Sequence, residues 1–139
     1  MKSALGWKAR TVAAALILPP LLSVVSFARL ARWVAARRPS RGAVPPEADL
    51  AAWTETLLRR LPPPWRYTCL RRGIVVFYLL RKAGVPATLH IGVRRSERGE
   101  FLAHAWLTRG GALLLEPRAN GPAAYRVIAS FPDADPVAP

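Results

Sequence analysis

One cysteine, two histidines and a glutamate fall in the order Cys69, His90, His104, Glu116 within this 139-residue chain. A thiol attacks a carbonyl as its thiolate, and a helix N-terminus or a neighbouring imidazole favours that anion. The imidazole in turn needs an acceptor to fix its orientation. Cysteine, histidine and acid in this order therefore suit acyl transfer through a thioester, with Cys69 as nucleophile, His104 as base and Glu116 as orienting acid. Singly, each has a plainer reading. A lone intracellular cysteine is more often a small buried hydrophobe, His104 fits a satisfied strand histidine, and Glu116 before Pro117 fits a strand end in solvent. His90 has no acid partner on its strand and reads as structural. One cysteine excludes an internal disulfide and fits a reducing, cytoplasmic compartment. One cysteine and two histidines fall short of a structural zinc set, so neither metal nor cofactor is expected.

The elements that must position these residues can be read from caps and periodicity. Thr68 is a cap for a helix starting at Cys69, so the thiol sits where free N–H groups and partial positive charge are presented. The helix runs to Ala83, with Arg81-Lys82 in its last turn, Gly84 as a left-handed cap and Pro86 beyond. Cys69, Gly73, Val76 and Leu80 share one face, and Gly73 admits a close neighbour one turn below the sulfur. Alternation then predicts strands over Ala87–Val93, Phe101–Thr108 and Ala112–Glu116, with a short fourth over Tyr125–Phe131. A three-residue loop at Arg109-Gly110-Gly111 makes paired positions sum to 220, which sets His104 opposite Glu116. A two-residue Gly110-Gly111 loop makes them sum to 221, with Glu116 opposite Ala105 on the other face. The first register is the one expected, because a three-residue loop with a glycine in the left-handed position of a G1 bulge is common.

The runs CLRRGIVVFYLLRKAGVPATLHIGVR (69–94) and FLAHAWLTRGGALLLEP (101–117) resemble the stand-alone leader peptidase of lasso-peptide biosynthesis, a transglutaminase-like enzyme. The likeness covers roughly residues 47–118. It implies an α+β, papain/transglutaminase-like core, with the nucleophile helix packed on a small antiparallel sheet and N-terminal hydrophobic helices before it. It also implies a triad in which Cys69 and His104 match the family's cysteine and histidine. Glu116 stands where the family carries aspartate, twelve residues after the histidine, and Asn120 is a fallback orienter. The implied activity is removal of the leader from a ribosomally made precursor peptide. Implied partners are a separate leader-recognition protein and a macrolactam synthetase. Two other readings stay open: a different acyl-transfer enzyme of the same fold, an amidase or transglutaminase, and an inactive basic membrane-associated binding protein. No aromatic arrangement of a nucleic-acid motif is present, so nucleic acid is not expected as a partner.

Around this centre the chain divides into a basic hydrophobic helical segment and linker at 1–46, the peptidase core at 47–131 and a loose tail at 132–139. Charge is lopsided, with 21 Lys and Arg against 8 Asp and Glu and a formal net charge of +13. That balance attracts polyanions such as anionic lipid or acidic peptide. Residues 1–46 hold eight bases and no acid, yet Val12–Ala28 carries no charge. This stretch suits a short membrane span, the apolar part of a signal peptide, or two helices over roughly 5–18 and 20–37, with Pro20 in the first turn of the second. The paired prolines disfavour the span, and the helical pair is the reading carried forward, docked on the core, on a partner or on a membrane surface through residues 5–37. Pro39–Pro46 reads as a linker. Glu47–Leu61 reads as a helix with Leu50, Trp53, Leu57 and Leu61 on its inner face, stopped by Pro62-Pro63-Pro64.

Overall fold

The helix that carries Cys69 is walled in by every other layer of the molecule. A computed structural model describes residues 2–39, 44–62, 68–110, 112–114 and 125–132. In chain order the elements are α1 (Lys2–Leu21), α2 (Phe27–Ala35), α3 (Glu47–Arg60), α4 (Cys69–Lys82), β1 (Ala87–Arg95), β2 (Phe101–Arg109), β3 (Ala112–Leu114) and β4 (Arg126–Phe131). The strands form one antiparallel sheet in the order β3-β2-β1-β4. This is the α+β arrangement expected, a helix bearing the thiol laid on a small sheet and preceded by hydrophobic helices.

The uncharged centre of α4 explains its position. Ile74, Val75, Val76, Phe77, Leu79 and Leu80 are fully buried, each worth about 1.5–3 kcal/mol relative to exposure. Such a helix needs partners on all sides. The sheet supplies one side through Leu89, Ala105 and Leu107, and α1, α2 and α3 supply the rest through Leu18, Val34, Leu50 and Leu58. The N-terminal helices thus share one hydrophobic core with the sheet. Among the described residues no helix is long and apolar enough to cross a membrane.

The helical pair differs in its bounds from the expectation. Pro19 and Pro20 lie in the last turn of α1, not at the start of α2. The chain turns through residues 22–25, and Ser26 opens α2 by accepting a hydrogen bond from the Arg29 N–H at 3.2 Å. A serine that caps sets the start of a helix more firmly than a proline that merely tolerates its first turn. On α3 the inner stripe is also offset. Leu50, Ala51, Thr54 and Leu58 are buried, while Trp53 and Leu57 lie at its margin. Thr54 is admitted because its hydroxyl donates back to the Leu50 carbonyl at 2.9 Å. The offset turns Glu55 toward α4, where its carboxylate accepts from the buried Arg72 guanidinium at 2.6 Å. α3 is also tied to β2 by Arg109 and Glu47 at 2.6 Å.

The β2–β3 hairpin corrects the expected register. Arg109 pairs with Ala112, Thr108 with Leu113 and Leu107 with Leu114. These pairs sum to 221, so the loop holds two residues, not three. Gly110 takes φ +58°, and a two-residue hairpin turn favours positive φ, for which a Gly-Gly pair is well suited. The described pairs therefore do not supply the opposition of Glu116 to His104. Glu116 itself, like Asn120, the proline triplet from Pro63 and the tail beyond Pro132, lies outside the described residues.

Candidate active site

Cys69 is the first residue of α4. Thr68, in extended conformation, accepts a hydrogen bond from the Arg71 N–H at 3.1 Å, and its carbonyl accepts from Arg72 at 2.9 Å. The N–H groups of Cys69 and Leu70 precede these and have no intrahelical acceptor by the geometry of a helix start. At the other end, Gly84 at φ +84° closes the helix, with Val85 N–H donating to Leu80 and Gly84 N–H to Arg81. Both caps fall where the sequence puts them, which fixes the axial position of the thiol.

The lateral position is set by Gly73. A Cβ there would stand 3.2 Å from Ala105 Cβ and 3.4 Å from Leu89 Cδ1. The glycine lets β2 lie close against α4 one turn below the sulfur. As a result the half-buried Cys69 thiol reaches the backbone of β2, donating to the Ala103 carbonyl across 3.8 Å. Ala103 is the residue before His104.

His104 is held from the side. Alternation along β2 sends Ala105 to α4 and His104 and Trp106 to the other face. There the His104 ring stacks on Trp106, with centroids 5.8 Å apart and planes 22° apart, and meets Tyr125 at 5.2 Å. Trp106 and Tyr125 are themselves 6.3 Å apart, and the Arg94 guanidinium lies 5.2 Å from the Tyr125 ring centre. Gly92 makes room for this cluster. It pairs with His104 across the sheet, and a Cβ on it would stand 2.7 Å from Trp106 and 2.9 Å from Tyr125. The described contacts thus set the thiol against β2 at residue 103 and clamp the imidazole at residue 104 of the same strand.

Sequence reasoning missed Gly92 and Tyr125. The pairing of β4 with β1 brings Tyr125 over Gly92, and only the Gly92 in an otherwise branched strand hinted at a close approach. His90 has the structural role expected of it. It is buried between Ser130 Oγ, 2.8 Å from Nδ1, and Thr108 Oγ1, 2.7 Å from Nε2. A neutral ring, donating at one nitrogen and accepting at the other, satisfies both hydroxyls and ties β1 to β2 and β4. Burial accordingly holds its pKa below the ordinary value. Among the described residues no three His, Cys, Asp or Glu side chains are grouped to hold a metal ion. A cleft of about 370 Å³ over the β1–β2 turn, lined by Arg94, Ser96, Glu97, Arg98 and Glu100, takes in neither Cys69 nor His104.

The structure thus brings a thiol at a capped helix start against the strand that carries His104, with the imidazole turned to the face of the sheet away from α4. The sequence model of the transglutaminase-like superfamily matches residues 14–130. The chain belongs to that superfamily. No curated protein and no solved structure matches it. The transglutaminase-like match spans the C-terminal part of α1, all of α2 to α4 and nearly the whole sheet.

Proposed function

We propose that this transglutaminase-like chain is a cysteine peptidase that removes the leader from a ribosomally synthesised lasso precursor peptide. The observation that carries the proposal is the Cys69 sulfur, at the capped start of α4 and 3.8 Å from the carbonyl that precedes His104. The sequence runs around both residues, CLRRG and AHAW, resemble those of lasso leader peptidases and support this reading.

In the proposed reaction His104 takes the thiol proton and the Cys69 sulfur attacks the scissile carbonyl carbon. The oxyanion lies toward the N–H groups of Cys69 and Leu70 at the helix start. The imidazolium gives its proton to the leaving amine as the C–N bond breaks, leaving the leader as a thioester on Cys69. Water, deprotonated by His104, then attacks the thioester, the C–S bond breaks and the thiol is restored. The freed amine of the core peptide is the group that a macrolactam synthetase acylates in the next step. The Trp106–Tyr125 stack fixes the orientation of the His104 ring. Glu116 is the proposed acceptor for its other nitrogen.

A separate leader-recognition protein is the proposed partner that presents the precursor. The test is incubation of the chain with precursor peptide and that partner, with leader and core followed by mass. Two hydrolytic products support peptidase activity. A leader joined to an added amine, without free acid, would instead mark a transferase.

A further inference from the structure

The outer face of the N-terminal helices is built like a membrane-binding surface. α1 is apolar on both sides. Its inner side, with Trp7, Ala14, Ala15 and Leu18, enters the core, yet its outer side exposes Val12, Leu16 and Ile17. Val24 in the following turn is 79% exposed and Trp33 on α2 is 47% exposed. Among the described residues, five of the eight exposed large hydrophobic side chains thus gather on α1, α2 and the turn between them. A helix facing water on one side is ordinarily polar there, so this face is made for another apolar medium. Between the two helices, Ile17, Leu18, Trp33 and Tyr78 line a shallow cleft of about 140 Å³ with Arg10 at its rim.

Charge says which medium. Residues 1–46 hold eight bases and no acid. Arg29, Arg32, Arg37 and Arg38 are exposed along and just after α2, and the Arg37 guanidinium lies 4.4 Å from the Trp33 ring centre. A second copy of the chain fits poorly, because an isologous contact would set these arginines against one another. No helix among the described residues can cross a bilayer. An apolar strip rimmed by arginine matches the acyl boundary and phosphates of an anionic bilayer. We propose that the α1–α2 face docks this chain on the surface of anionic lipid membranes. Val12, Leu16, Ile17 and Val24 enter the acyl boundary, Trp33 lies at headgroup depth and the arginines meet phosphate. This docking is independent of the chemistry at Cys69.

The test is flotation of the full chain with vesicles of phosphatidylcholine alone and of phosphatidylcholine mixed with phosphatidylglycerol. Binding is expected to the mixed vesicles, to weaken with salt, and to be nearly absent on the neutral ones. Leu16→Ser/Ile17→Ser should bind roughly tenfold or more weakly with its melting temperature kept, because both side chains are exposed. Arg29→Glu/Arg38→Glu, on exposed positions, should weaken binding by a similar factor without touching the apolar strip. Absence of binding to the mixed vesicles would overturn the proposal. So would equal binding by both double variants. Loss in the arginine variant alone, with heparin bound as tightly as vesicles, would replace the membrane by a general polyanion and overturn it too.

Discussion

Gly73 on α4 and Ala105 on β2 face each other so closely that a methyl on the glycine would stand 3.2 Å from the alanine Cβ. This contact, one helical turn below Cys69, sets how near the thiol comes to the strand of His104. Gly73→Val should push α4 off the sheet and lower stability by about 1–3 kcal/mol. Peptidase activity should fall further than the folded fraction does. Urea unfolding and rate measured on the same samples check both. An activity that merely follows the folded fraction would remove Gly73 from the positioning of the thiol.

The aromatic clamp gives a second expectation. Gly92→Ala places a methyl 2.7 Å from the Trp106 ring and 2.9 Å from Tyr125 Cβ, so the packing around His104 must shift. Near-ultraviolet circular dichroism should change in this variant. Tyr125→Phe keeps the ring and should keep the rate, whereas Tyr125→Ala should lower kcat with little change in KM. A Tyr125→Ala enzyme with unaltered kcat would show that Trp106 alone suffices.

His90 links stability to pH. Its pKa is lowered below 6.5 by burial. Above the unfolded value both states are neutral and stability is complete. As pH falls below 6.5, the unfolded chain gains a proton that the folded chain resists, and stability declines. The melting temperature should therefore drop on acidification from pH 6.5 toward the carboxylate range. His90→Gln should be less stable at neutral pH but flatter across that interval. An equally steep wild-type and variant profile would place the titration elsewhere.

Glu116 can be tested without reference to the hairpin. If its carboxylate orients His104, Glu116→Asp should hold or raise the cleavage rate and Glu116→Ala should lower it. A rate unchanged in Glu116→Ala would pass the role to another group, with Asn120 the first to replace.

The helix of Cys69 was legible in the sequence to within one residue, because both of its ends are set by local chemistry: a threonine oxygen at Thr68 and a positive φ at Gly84. The four strands were legible from alternation for the same local reason. What escaped depends on contacts between distant segments. The inner stripe of α3 rotates because Thr54 satisfies its own hydroxyl and Glu55 finds Arg72 on α4. The β2–β3 register turns on one residue of loop length, and both registers use the same glycines. Tyr125 joins the site only through the pairing of β4 with β1. In the site itself, the nucleophile's helix start and the histidine's strand could be read ahead, but the clamp around the imidazole could not.

The most direct measurement is cleavage of precursor peptide, with the leader-recognition partner present, by wild type, Cys69→Ala and His104→Ala. Free leader and core should appear with wild type and with neither variant, while all three chains melt alike. Cleavage by Cys69→Ala at the wild-type rate would contradict the account.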